Sequence, residues 1–249
     1  MLKVLTLNLN GYVEKHGPWS QRCHLISDVI RTASPDILAF QAVRRDPAHH
    51  DGQNQAAALV DGLDGYTQIL FQPAMEHPDG SETGMAIISR LPASEVEEHK
   101  LSLIPVMEDD SQRVVLKARF DLPGGPFYLF NAHFSWVEEQ LKDNVADTRS
   151  FMSPVTGPAL LVGDLNAPAG KGLLEPFRQA GWVDAWEKLR GSEQGYTFEA
   201  GNPSMRIDYA WANPALAPRL GSIDVVGDRR GPAGEHMSDH LGLLVSLNF

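Results

Sequence analysis

Five short segments set Asn, Asp or His against apolar runs. They are Thr6-Leu7-Asn8-Leu9-Asn10-Gly11, Asn131-Ala132-His133, Gly163-Asp164-Leu165-Asn166, Arg206-Ile207-Asp208-Tyr209 and Ser238-Asp239-His240. Carboxylates and carboxamides offer hard oxygen ligands to a cation such as Mg²⁺ or Mn²⁺. Histidines hydrogen-bond a phosphoryl oxygen or pass a proton. Each segment alone has a simpler explanation. An Asp after a strand is usually a turn former or a helix cap, and Asn8 and Asn10 can simply close a turn before Gly11. Together they carry more weight. Strand ends converge on one edge of a sheet, so groups placed there can share one cleft.

The surrounding chain supplies those strand ends. Leu2 to Leu9 alternates apolar and polar residues as a half-buried strand does. Trp19 to Ala33 predicts a helix with Leu25, Ile26, Val29 and Ile30 as its apolar stripe, stopped at Ser34-Pro35-Asp36. Ile37 to Val43, Tyr66 to Gln72 and Met85 to Ser89 predict strands, with a helix over Gln53 to Leu63 and an exposed loop over Pro73 to Thr83. Val114 to Asp121 and Phe127 to His133 flank Pro123-Gly124-Gly125 and predict a hairpin. Later come helices over Glu138 to Met152 and Gly172 to Ala180, and strands over Ala159 to Val162, Arg206 to Ala212 and His240 to Leu247. Strands outnumber what a single parallel sheet needs. The expected fold is therefore α/β, a four-layer sandwich of two packed mixed β-sheets flanked by helices, with residues 1–249 as one domain.

In their order along the chain, the five segments resemble the signature set of the endonuclease/exonuclease/phosphatase family, also called deoxyribonuclease I-like. The match runs from Leu5 to the end of the chain. Gly84-Met85-Ala86-Ile87-Ile88-Ser89-Arg90, Gly181-Trp182-Val183-Asp184-Ala185-Trp186 and Tyr196-Thr197-Phe198 add support. The resemblance implies metal-dependent phosphoester hydrolysis by in-line attack of water, with Mg²⁺ or Mn²⁺ as cofactor. It implies that Asp164 orients or deprotonates the water and that Asn166 holds that water, a phosphoryl oxygen or the metal. It implies that His240, supported by Asp208, hydrogen-bonds the phosphoryl group and that His133 contacts or protonates the phosphate and leaving group. Asn8, Asn10 and Asp239 are the implied metal contacts, and Asn131 lies in the implied phosphate-binding segment.

One position departs from the pattern. Where the family reads apolar-Gln-Glu, with the Glu as central metal ligand, this chain reads Leu38-Ala39-Phe40-Gln41-Ala42-Val43. Alanine has no donor atom, so Ala42 cannot bind a cation. Ala42 is an engineered replacement, a natural feature of a pseudoenzyme, or a loss that a neighbouring acid makes good. The intact remainder of the motif set favours the first. Arg44 and Arg45 follow the break, and Arg44 is a candidate for binding an anionic substrate, with surface charge as the plainer account.

Composition narrows the partners. The 249 residues carry 21 basic and 32 acidic side chains, a net charge of −11. Such a surface repels a phosphate backbone, so an extended nucleic-acid footprint is disfavoured and a phosphorylated small molecule or lipid headgroup is the expected substrate. A DNA or RNA nuclease and a non-catalytic phospholigand-binding protein are the competing functions. The lone Cys23 excludes an intrachain disulfide and suits the cytoplasm. No run is long enough to cross a bilayer, and a monomer is expected. Among the bland readings, Glu108-Asp109-Asp110 is a solvated turn.

Overall fold

The computed structural model describes residues 1–249. The apolar alternations become strands and the amphipathic stretches become helices. In chain order they are β1 (Leu2–Asn8), α1 (Trp19–Ala33), β2 (Ile37–Arg45), α2 (Gln55–Val60), β3 (Gln68–Glu76), β4 (Glu82–Ser89) and β5 (Ala93–Lys100). Next come β6 (Val114–Leu122), β7 (Gly125–His133), α3 (Glu138–Met152), β8 (Ala159–Asp164), α4 (Glu175–Gln179) and β9 (Val183–Asp184). The chain closes with α5 (Ala185–Arg190), β10 (Asp208–Ala212), β11 (Leu220–Val226) and β12 (Gly242–Leu247).

Two six-stranded sheets result, ordered β11-β12-β1-β2-β4-β3 and β5-β6-β7-β8-β10-β9. Both are mixed. A parallel pair needs a crossover, and α1 and α3 supply them for β1/β2 and β7/β8; the other pairs are antiparallel. A cluster of 25 buried apolar residues, drawn from both sheets, lies between them. A second cluster carries Leu141 and Val145 of α3 and Phe177 of α4 against β7 and β8, and a third carries Ile26 and Ile30 of α1 against β1 and β2. Each fully buried Leu, Ile, Val or Phe stabilises by about 1.5–3 kcal/mol. The sandwich therefore has four layers: helices, sheet, sheet, helices.

This connectivity sends the motif residues to one edge. Parallel pairing puts Asn8 beside Gln41 and His133 beside Asp164. Antiparallel pairing puts Asp208, the first residue of β10, beside Asp164, the last of β8. β12 runs antiparallel to β1, which brings His240 to the end of β1 where Asn8 stands.

Several expectations shift. The loop expected over Pro73 to Thr83 is mostly strand, because β3 runs to Glu76 and β4 begins at Glu82. Pro73 is tolerated because β3 is an edge strand, where a missing N–H breaks no ladder. The helices expected over Gln53 to Leu63 and Gly172 to Ala180 shorten to α2 and α4. Asn54 caps α2 by accepting from Ala57 N at 2.9 Å. β5 and β11, both edge strands, are additional to the sequence reading. No helix is long and apolar enough to cross a membrane.

Candidate active site

Asp164 ends β8 with its side chain in the cleft, and only 1% of the residue is exposed. Its Oδ2 accepts from Asn8 Nδ2 at 2.9 Å and its Oδ1 accepts from the Asn166 N–H at 3.0 Å. His133 Nε2 and His240 Nε2 stand 3.4 and 3.6 Å from the same Oδ2. Burial, chiefly, pushes the Asp164 carboxyl up to about 6, with repulsion from Asp208 adding and the attraction of His240 subtracting. A carboxylate poised near neutrality suits a group that takes a proton from water.

His240 lies just before β12 and donates or accepts at Nδ1 with Asp208 Oδ2, 2.8 Å away. Burial disfavours its charged form, but Asp208 and Asp164 outweigh burial and push the imidazole up to about 10. At neutral pH the ring is thus an imidazolium, with Nδ1–H held by Asp208 and Nε2–H facing the cleft. Phe198 packs on the ring at 4.9 Å between centroids, and Thr197 O accepts from Leu241 N at 2.8 Å. The Tyr196-Thr197-Phe198 segment thereby fixes the dyad in place.

His133 is the opposite case. Arg113 lies 3.0 Å from its Nε2. A guanidinium only donates, so Nε2 accepts and the ring proton sits on Nδ1. Burial, Arg113 and His240 all hold this imidazole well below the usual histidine range. His133 is neutral, and while Arg113 occupies Nε2 it does not donate to Asp164.

Two arginines outside the motif set shape the cleft. Arg113 is braced by Asp109 Oδ2, which accepts from its terminal nitrogen at 2.8 Å and from Nε at 3.3 Å. Asp109 is 3% exposed, so the reading of this turn as fully solvated is corrected at that residue. Burial pushes its carboxyl up; Arg113 and hydrogen bonds from Ser135 and Ser111 more than offset this and hold it below the usual carboxylate range. Arg22 of α1 is fully buried and donates to the carbonyls of Leu9, Gly11, Val13 and Met237. It ties the Asn8–Asn10 loop to the segment that carries Asp239. The available signal was its place on the buried face of α1, between Trp19 and Ile26.

The remaining expected residues divide. Asn8 Oδ1 accepts from Asn10 N at 2.9 Å, in a turn where Asn10 has φ 54° and its own carboxamide makes no hydrogen bond. Ser238 Oγ stands 2.6 Å from Asn8 O and 3.0 Å from Asp239 Oδ1, which places Asp239 beside the first motif. Asn166, with φ 48°, donates from Nδ2 to Phe134 O at 2.9 Å. Asn131 is not in the cleft. It is fully buried between the sheets, donates to Phe40 O and Ala86 O at 3.0 Å each, and accepts from Gln41 Nε2 at 2.7 Å. With its donors and acceptor spent, it pins sheet to sheet instead of touching a substrate. Arg44 pairs with Asp79 at 3.2 Å.

Ala42 sits in a β-bulge between Phe40 and Val43, with φ 49°. No neighbouring acid takes over: Asp79 and Glu82 on the adjoining hairpin are paired with Arg44 and with Arg45, the latter at 2.5 Å. The donors that remain, the Asp239 carboxylate and the Asn8 and Asn10 carboxamides, fit Mg²⁺ or Mn²⁺ in kind. Mg²⁺ commonly takes one or two carboxylates, completing its shell with water and substrate phosphate. The set fits that pattern at its lower limit, one carboxylate short. Asp164, Asp208 and His240 also bring ligand-type atoms within 4.8 Å of one another. His240 Nδ1 and Asp208 Oδ2, however, are already joined to each other.

A four-layer sandwich with an Asp–His–Asp cluster at its converging strand ends defines a phosphoester-cleaving hydrolase class. The chain belongs to the endonuclease/exonuclease/phosphatase family, whose model matches residues 5–240. No curated protein matches it. Solved structures share the fold. A family protein from Leptotrichia buccalis is 18% identical, with TM-score 0.81 and 100% of each chain covered. A mannosyl-6-phosphatase from Bacteroides thetaiotaomicron is 20% identical, with TM-score 0.79 and 100% of each covered. The human Nocturnin catalytic domain with a bound sulfate anion is 21% identical, with TM-score 0.75, covering 99% of this chain and 93% of that one.

Proposed function

We propose that this chain is a scaffold for hydrolysis of a small-molecule or lipid-headgroup phosphoester, held at low activity by Ala42. The observation that carries the reading is the pairing of a near-neutral carboxylate, Asp164, with an imidazolium, His240, across 3.6 Å. A phosphoester seated against the open side of this pair meets a base for the water and a charged donor for a phosphoryl oxygen, side by side.

The chemistry of each residue follows from its state. Asp164 orients water through Oδ2 and takes one of its protons as the new P–O bond forms. His240 donates from Nε2–H to a phosphoryl oxygen, and Asp208 holds the ring so that this N–H faces the cleft. Asn8 and the Asn166 N–H fix the Asp164 carboxylate in its orientation. The ester P–O bond breaks opposite the water; the departing alkoxide takes a proton from solvent, and Asp164 returns to solvent the proton it took, so the balance is water plus ester giving alcohol plus phosphate. Asp239, Asn8 and Asn10 are the groups that would hold Mg²⁺ or Mn²⁺, whose chemistry there is charge neutralisation at the phosphoryl oxygens.

Ala42→Glu restores the missing ligand and is expected to raise Mg²⁺- or Mn²⁺-dependent hydrolysis by orders of magnitude. The assay is a panel of phosphate monoesters and diesters, with and without chelator. No gain on any ester sinks the reading. A second reading, a non-catalytic protein that binds a phosphorylated ligand, is favoured only by Ala42. Tight binding with no turnover after the substitution would select it. The net charge of −11 weighs against a nuclease, and preferred cleavage of a polynucleotide would reverse that.

A further inference from the structure

A cavity of 140 Å³ opens beside His133, between β4, β6 and the loop before β6. It holds about five waters' worth of volume. That is well below the roughly 300–1,000 Å³ of pockets that enclose drug-sized ligands. Its one link to the reacting groups is His133, whose Nε2 is 3.4 Å from Asp164 Oδ2. A group seated there therefore lies next to phosphorus bound at Asp164 and His240.

The wall chemistry is mixed. Arg113 presents N–H donors, His133 its ring edge, Thr83 and Ser111 hydroxyls, and Gln112 an amide oxygen, with Met75 as an apolar side. Gln112 spends its Nε2 on the carbonyls of Leu101 and Arg113 at 2.7 and 2.9 Å, which leaves Oε1 with no hydrogen bond. The positive charge of Arg113 is already balanced by buried Asp109 at 2.8 Å. A second anionic group would need uncompensated positive charge and donors only. Hydroxyl groups each donate and accept, which is what alternating donors and acceptors on a charge-balanced wall serve.

The geometry points to this cavity as the leaving-group subsite, built for a small polyhydroxylated alcohol, so that the substrate is the phosphate ester of a sugar or polyol. The inference rests on the phosphoester reading above and narrows it. Arg113 is its anchoring residue: on binding, a substrate hydroxyl takes the donor that His133 Nε2 holds in the free protein.

The test is calorimetric binding to the chain as it stands, in Mg²⁺ buffer, with inorganic phosphate, a hexose 6-phosphate and a dinucleoside monophosphate as probes. The hexose phosphate is expected to bind about tenfold or more tightly than inorganic phosphate, the worth of one or two added hydrogen bonds. That advantage should vanish in Arg113→Met and in Ser111→Trp, which fills the cavity from an exposed loop and retains phosphate binding. Equal affinity for the two probes, or an advantage that survives both variants, overturns the subsite and leaves the phosphoester reading standing. A preference for the dinucleoside monophosphate overturns it in favour of a polynucleotide substrate. If no probe binds and Ala42→Glu turns over no ester, the phosphoester reading falls and the subsite with it.

Discussion

Asp164 costs the fold stability, and removing its charge should return it. Its carboxyl is raised from 3.8 to about 6, chiefly by burial. A folded-state value above the unfolded one means the folded protein binds the extra proton between those limits. Stability therefore falls as pH rises from 3.8 through about 6, and the full cost is present at neutral pH. A raise of about 2.2 units at about 1.4 kcal/mol each amounts to about 3 kcal/mol. Asp164→Asn removes that cost but turns an amide N–H₂ toward Asn8 Nδ2, losing one hydrogen bond worth about 1 kcal/mol. The expected net gain near pH 7 is about 2 kcal/mol. With unfolding entropy near 2.1 cal/mol/K per residue over 249 residues, this is a rise in Tm of about 4 °C. Near pH 4 the native carboxyl is already protonated, so the gain should vanish or reverse slightly. Denaturant unfolding of both proteins at the two pH values, with chelator throughout, measures the difference. An equal difference at both pH values, or a loss of stability near pH 7, refutes the argument that burial of this charge dominates.

The other outcomes concern the supports of the site. Asp208→Asn removes the strongest of the three carboxylates, Asp208, Asp164 and Asp239, that outweigh burial at His240, so the imidazole should titrate well below its present value of about 10, read by NMR of the ring protons. Because the His240 value is raised, its contribution to stability is complete below 6.5 and lost as pH rises through about 10; Asp208→Asn should therefore cost most at pH 6, about 3–5 kcal/mol for a buried pair broken on one side. Asn131→Leu should cost about 2–3 kcal/mol in urea unfolding, because it strips the carbonyls of Phe40 and Ala86 and the amide of Gln41, while the KM of the Ala42→Glu protein for a phosphate ester stays unchanged. Arg22→Met should lower kcat in that background without changing which ester is preferred, since Arg22 holds the Asn8–Asn10 loop and makes no contact in the cleft.

What could be read from the sequence were patterns with a local cause. α1 begins and ends at the expected residues, since an apolar stripe and the Ser34-Pro35-Asp36 breaker mark it, and α3, read as a polar helix, spans the expected Glu138 to Met152. The convergence of the five segments was readable because strand ends and their order along the chain imply it. β5 was not readable: Ala93-Ser-Glu-Val-Glu-Glu-His-Lys carries its charges outward on an edge, where Glu97 meets Lys117 at 2.7 Å and Glu95 meets Arg119, so no apolar alternation marks it. Arg113 and Asp109 were hidden for a related reason. A charged pair four residues apart in an irregular segment looks solvated until tertiary packing buries it. Asn131 carried a motif signal with a different contact: it shares a face of β7 with His133, but it lies two residues deeper in the strand, so its side chain falls between the sheets while His133, at the strand end, reaches the cleft.

The backbone at position 42 is built independently of the side chain it carries. A non-glycine residue at φ 49° costs about 1–2 kcal/mol, and alanine pays as much of that as glutamate does. The bulge persists because its neighbours hold it: Gly11 N donates to Ala42 O at 3.0 Å, Leu9 N donates to Gln41 O at 2.8 Å, and Gln41 Nε2 reaches Thr6 Oγ1 at 2.9 Å and Asn131 Oδ1 at 2.7 Å. A carboxylate introduced there meets a finished backbone and needs no refolding. It also joins Asp164, Asp208 and Asp239 as a fourth acid in one cleft, against a single imidazolium. Without a cation that crowding is repulsive, and with one it is the binding energy. On the function proposed above, alanine at this bulge keeps the architecture, relieves the repulsion and gives up metal affinity, and the three effects share one cause, the absence of a carboxylate at position 42.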